Sequence, residues 1–166
     1  MISRDYAVTM ARYNRWMNGK VYAACAGIAD AERKADRGAF FGSIHRTLNH
    51  LLVADLIWLS RFTGGSREGL HIGQPLHEDF DALRAHREQT DAALLSFAEG
   101  LRPEWLDAEL EVASTAHGVY RRPAWVFVSH VFNHQTHHRG QVTTLLSRLG
   151  IDIGATDLPV LPDLAG

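Results

Sequence analysis

Apolar and small residues recur every three or four positions through four long stretches, the spacing of one buried face on an α-helix. The first stretch runs from about Ser3 to Cys25, with Tyr6, Met10, Tyr13, Met17, Val21 and Ala24 on its stripe. Ser3 suits the N-cap and Gly27 the stop. The second opens at Ser43, again a capping residue, and runs to about Phe62 before Gly64 and Gly65. Its segment LNHLLVADLIWLSRF (48–62) is apolar on more than one face, which places this helix deep in a bundle. The third spans about Glu78 to Glu99, with Phe80, Leu83, Thr90, Leu94 and Phe97 inward. Glu78, Asp79 and Asp81 suit its N-terminal dipole, and Gly100 and Pro103 close it. The fourth starts at Pro123 as a first helical residue and reaches about Leu149, with Gly150 just past its end.

Between the third and fourth helices, ELEVAS and HGVYRR alternate and predict a short antiparallel hairpin. No stretch reads as a long strand. Residues 151–166 carry two prolines and no long periodicity, and read as a tail laid over the surface. Four helices of about 20 residues in one domain, 1–166, predict an all-α four-helix bundle. The connections exceed tight turns, so an up-down-up-down order is not dictated.

Composition narrows the function. The chain has 166 residues, 46% apolar and 22% charged, with a formal net charge of −2, so it is globular without a basic excess. That charge offers no footprint for nucleic acid or an anionic membrane surface. Its apolar runs are too short or too interrupted to span a bilayer. The N-terminal MISRDYAVTM lacks the apolar centre of a secretory signal, so the expectation is a cytoplasmic protein. The single cysteine, Cys25, excludes an internal disulfide framework and a cysteine-cluster metal site.

Histidine is the outlier, with 10 in the chain and four of them between His130 and His138. At about 100° per residue, His134 and His138 stand one turn apart, separated by about 40° on one helical face. Phe127, Val131, Gln141, Leu145 and Leu149 share that stripe, so the pair lies on the inward face. An i, i+4 pair is the spacing by which one helix offers two imidazoles to one metal ion. A third ligand must come from another helix, and His50 lies near the inward line of Thr47, Ala54, Ile57 and Arg61 on the second. Three neutral imidazoles leave a coordination position open, the catalytic pattern rather than the structural one. Spacing alone does not choose among pairs, because His130 is one turn before His134, and His137 also competes.

The other histidines look less useful. His45 falls about 140° around the helix from His50 and is expected in solvent. His71, His77, His86 and His117 sit in loop or polar contexts and are expected to be solvated. Asp55 is also about 140° from His50 and makes a poor ligand. Arg61 is a candidate to anchor an anionic group or pair with a carboxylate, and Gln141 to orient a bound water. Trp16, Trp58 and Trp125 suit packing. The residues three before His134 and His138 are Val131 and Gln135, so the Glu-x-x-His motif of di-iron bundles is absent there.

HVFNHQTHHRGQV at 130–142 resembles the signature of the DinB/YfiT-like family. ARYNRWMN at 11–18, SIHRTLNHLLVADLIWLSRF at 43–62, the FFGS lead-in and TDLP at 156–159 agree with it. The resemblance implies a bundle of up-down-down-up order, a homodimer, and a divalent metal on His50, His134 and His138. Some relatives are transferases or isomerases using mycothiol, bacillithiol or glutathione, and others are described as hydrolases or damage-inducible proteins. Mycothiol-dependent relatives often carry an added C-terminal domain, for which a chain ending at Gly166 has no room. The expectation is therefore a metalloenzyme with Zn²⁺ or Ni²⁺, or alternatively Fe²⁺ or Mn²⁺. It would activate a low-molecular-weight thiol as cosubstrate, or water, against a small-molecule electrophile. S-transfer comes first, hydrolysis second, and a non-catalytic metal-binding stress-response protein third.

Overall fold

The computed structural model describes residues 1–114 and 118–164. Its elements in order are α1 (Arg4–Ala26), α2 (Asp30–Lys34), α3 (Ile44–Thr63), α4 (Phe80–Glu99), α5 (Pro103–Asp107), β1 (Glu109–Ser114), β2 (Gly118–Pro123) and α6 (Ala124–Arg148). Two 3₁₀ turns follow, Leu158–Val160 and Pro162–Leu164. Three of the four long helices open on a side-chain cap. Ser3, Ser43 and Asp79 accept from the backbone N–H groups of Tyr6, Arg46 and Ala82. Gly64 closes α3 in the left-handed region at φ 75°, which a residue with a Cβ rarely adopts. Because Asp79 is the cap, α4 begins at Phe80 rather than Glu78. Pro123 still pairs with Glu109 in the hairpin, so α6 begins one residue later than the sequence predicts. The hairpin itself is present; His117 lies outside the described residues.

α1, α3, α4 and α6 form the bundle. α1 and α4 run antiparallel: Tyr22 late in α1 stacks on Phe80 at the start of α4, while Ala7 clusters with Ala98. α6 runs parallel to α1, since Ala7 and Ala11 meet Val128 and Phe132, whereas Val21 and Cys25 meet Val142 and Leu146. α3 opposes α6, because Trp58 near its end packs on Phe127 and Ile44 at its start joins the Val142 cluster. The order is up-down-down-up. Parallel α3 and α4 force residues 64–79 to return along the bundle, a crossover that covers part of α3.

The buried face of α1 keeps Tyr13, Met17 and Val21 of the expected stripe but differs in its remaining positions. Tyr6 is 44% exposed, and Ala7, Ala11, Asn14 and Asn18 take the inner positions. Alanine and asparagine carry little apolar signal, and the two asparagines are buried because their amides donate to the Asp91 carboxylate. The tail lies over α1 as expected: Leu161 is buried among Tyr13 and Met17, and Tyr13 donates its hydroxyl to the Thr156 carbonyl at 2.6 Å. α2 and α5, five residues each, are too short to show a stripe. Among the described residues, no helix is long and apolar enough to cross a membrane.

Polar groups run through the middle of the bundle and join all four long helices. Arg87 of α4 donates to Asp55 of α3 at 2.8 Å and pairs with Asp91 at 2.9 Å. Gln135 of α6 donates to Asp55 at 2.5 Å and accepts from Arg139 at 3.1 Å. Arg139 reaches Asn14 of α1. Burial pushes the Asp55 carboxyl up to about 6 against the pull of Arg87, so it stays ionised at neutral pH. Burial opposes the Arg87 charge, but Asp91 and Asp55 outweigh it and hold the guanidinium protonated.

Candidate metal centre

His50 on α3 faces His134 and His138 on α6, where the antiparallel pair of helices brings the middle of one against the middle of the other. The three residues each offer a ring nitrogen within 4.8 Å of the others. His50 Nε2 lies 3.1 Å from His134 Nε2. Imidazole nitrogens about 2.0–2.1 Å from one tetrahedral ion stand roughly 3.3–3.4 Å apart, so this spacing suits a shared ion. The ring centres of His50 and His134 lie 4.6 Å and 4.4 Å from that of His138. Among the described residues, no carboxylate or thiol joins the group.

Protonation favours ligation. Burial lowers His134 to about 3, helped by repulsion from His138 and His50. Burial lowers His50 to about 4, with His138 adding to the shift. Burial also lowers His138, against the opposing hydrogen bond to Gln141. All three are neutral at pH 7, the form that binds a cation. His138 donates Nδ1–H to Gln141 Oε1 at 2.8 Å, which leaves its Nε2 lone pair available. Nδ1 of His50 and of His134 is buried without a hydrogen-bond partner.

An aromatic wall closes one side. Phe41 stacks on His50 at 4.0 Å between ring centres and lies 5.4 Å from His138. The turn that presents it, bridged from Ala39 to Gly42, needs Gly42 at φ 78°. Beside His50 opens a cleft of about 440 Å³ whose lining includes Phe40, Phe41, Arg46, Asp36 and Gln74.

The remaining candidates fall elsewhere. His130 is exposed, with its ring 5.1 Å from that of Trp58 and 5.7 Å from that of His134, and does not join the group. His137 is exposed on the far side of Gln141. His45 corrects the expectation of a solvated ring: it is 2% exposed and donates Nε2–H to the His77 carbonyl at 2.8 Å. The crossover covers this face, and Asn49 ties it down by accepting from the Leu76 and His77 N–H groups. His77 and His86 also differ from expectation, being half-buried and bonded to each other at 2.8 Å; His71 is exposed.

Arg61 donates to the Ala113 carbonyl at 3.2 Å and lies over Trp58 at 4.5 Å, and it pairs with no carboxylate among the described residues. Gln141 acts on the His138 ring, a contact that water orientation did not anticipate. Asp55 belongs to the central network, as its angle from His50 implies. Trp58 is buried, while Trp16 and Trp125 are half-buried. The sequence reading missed Phe41 as the wall on His50; the Phe40–Phe41–Gly42 lead-in to the Ser43 cap was its only signal.

The model of the DinB family matches residues 1–165. Protein DinB of Bacillus subtilis (strain 168) is 25% identical over 159 residues, covering 92% of this chain and 91% of that protein. The crystal structure of a DinB-like protein from Bacillus cereus ATCC 10987 superposes with a TM-score of 0.64 at 18% identity. That likeness covers 84% of this chain and 90% of the other, and concerns the fold.

Proposed function

The chain belongs to the DinB family, and from that premise and the convergence of three imidazoles we propose that it is a divalent-cation-dependent enzyme acting on a small electrophile. His50, His134 and His138 would hold the ion, with Zn²⁺ or Ni²⁺ first and Fe²⁺ or Mn²⁺ as alternatives that imidazole also suits. The observation that carries the reading is the group of three buried or half-buried neutral rings with nitrogens within 4.8 Å. The Nε2 atoms of His50 and His134, 3.1 Å apart and within hydrogen-bond reach of each other, are also close enough to share one cation. A divalent ion held by three protein ligands keeps an open position, where it brings the pKa of a bound water or thiol towards neutral.

The chain's own residues do the rest. Gln141 holds the His138 ring by its Nδ1–H, fixing the tautomer that presents Nε2. Phe41 covers the His50 ring and keeps bulk water from that side. The cleft beside His50 is of a size to admit a small molecule. We favour a low-molecular-weight thiol over water as nucleophile. A thiol, with an ordinary pKa of about 8.5, needs a smaller shift than water to ionise near neutral pH. The test incubates metal-loaded protein with a haloarene and a panel of thiols, following conjugate by mass spectrometry. Conjugation that needs both thiol and metal supports the reading; hydrolysis of the haloarene without thiol, or no metal-dependent product with any thiol, opposes it.

A further inference from the structure

The cleft beside His50 also says which substrates fit. It is lined by two charged side chains, Arg46 and Asp36. Asp36 is exposed and braces the loop, its Oδ1 accepting from the Gly38 N–H at 2.9 Å. Arg46 is one turn before His50 on α3 and therefore on the same face. Arg46 is exposed; its backbone N–H serves the Ser43 cap, and among the described residues its guanidinium has no hydrogen-bond or ion-pair partner. Phe40 is 84% exposed at the rim and rests edge-on against Phe41, with ring centres 4.8 Å apart. An aromatic side chain so exposed, beside a guanidinium without a protein partner and a cleft whose lining includes His50, is the arrangement of a recognition surface.

The geometry points to an anion subsite at Arg46, so that the cleft selects small molecules bearing a carboxylate or similar anion on an apolar body that lies against Phe40 and Phe41. This deepens the proposed function and rests on it for the chemistry at the histidines, but the subsite is measurable by binding alone. Arg46 is a specificity-determining residue here: it would orient the anionic end while the other end lies towards His50.

The test is a ¹⁹F NMR titration of the full chain with 3-(4-fluorophenyl)propionate and, separately, with its neutral amide. At low salt the acid is expected to bind about tenfold more tightly, as a charge-assisted contact would give, with the margin shrinking as salt is added. Arg46→Gln abolishes the preference, Arg46→Lys keeps part of it, and Phe40→Ala weakens acid and amide together. Arg102→Gln, an exposed arginine outside the cleft lining, leaves the preference in place. Equal binding of acid and amide, no binding of the acid at millimolar concentration, or a preference that survives Arg46→Gln overturns the subsite. Metal content is measured on the same samples. Acid preference in protein that takes up no metal leaves the subsite standing and removes the proposed function; metal uptake without acid preference does the reverse.

Discussion

Replacing Arg87 by leucine should be among the most damaging single changes in the bundle. Arg87 is 1% exposed and sits between two carboxylates, Asp55 at 1% and Asp91 at 3% exposure. Without it, Asp55 keeps only the Gln135 amide, and Asp91 keeps the amides of Asn14 and Asn18. Leaving buried carboxylates without their cation costs about 3–5 kcal/mol. Ordinary domains have about 5–15 kcal/mol in total, so Arg87→Leu should lie close to unfolding. Urea unfolding followed by far-UV circular dichroism reads the loss directly.

The pH dependence separates this cause from simple packing. Burial already raises the Asp55 carboxyl to about 6, above its unfolded value, and the Arg87 charge is what holds it down. In the variant that restraint is gone and the folded pKa climbs further. Near pH 5 the variant's Asp55 is then neutral in the folded state, and part of the penalty disappears. The loss relative to wild type should be larger at about pH 7.5 than at about pH 5. A loss below about 1 kcal/mol, or one that is the same at both pH values, would refute the role given to the charge network.

Two further changes probe the histidines. Gln141→Ala removes the acceptor for His138 Nδ1–H, and metal affinity in competition with a chromophoric chelator should fall by about 10–100-fold. The metal-free chain should lose stability as pH falls from about 6.5 towards about 4. His134 and His50 are both depressed by burial in the folded state, so the unfolded chain takes up their protons first. Thermal melts of chelator-treated protein across that range should show this slope, and it should be shallower, though still present through His134, in His50→Gln.

The long helices were legible because their ends carry chemistry of their own: Ser3, Ser43 and Gly64 do in the structure what their side chains, or the lack of one, suggest. The His50, His134 and His138 convergence was half legible. The i, i+4 spacing put two rings on one face, but choosing between His130 and His138 took the family resemblance. What stayed hidden depends on contacts between distant segments. His45 is buried because a crossover from residues 64–79 folds over it, and no helical wheel of α3 contains that segment. Asn14 and Asn18 carry no apolar signal, and what buries them is the Asp91 carboxylate opposite on α4. Gln135 and Arg139 each follow a cluster histidine by one residue, and about 100° of helical rotation turns them from the imidazole group to the bundle axis. One short stretch of α6 thus serves the site with one face and the core with the next.

The most direct test of the three-imidazole site is elemental analysis of purified protein, wild type beside His134→Ala, after loading with Zn²⁺ or Ni²⁺ and gel filtration. About one ion per chain in the wild type and a near-complete loss in the variant is the expected result. Equal metal content in the two proteins, or none in either, would contradict it.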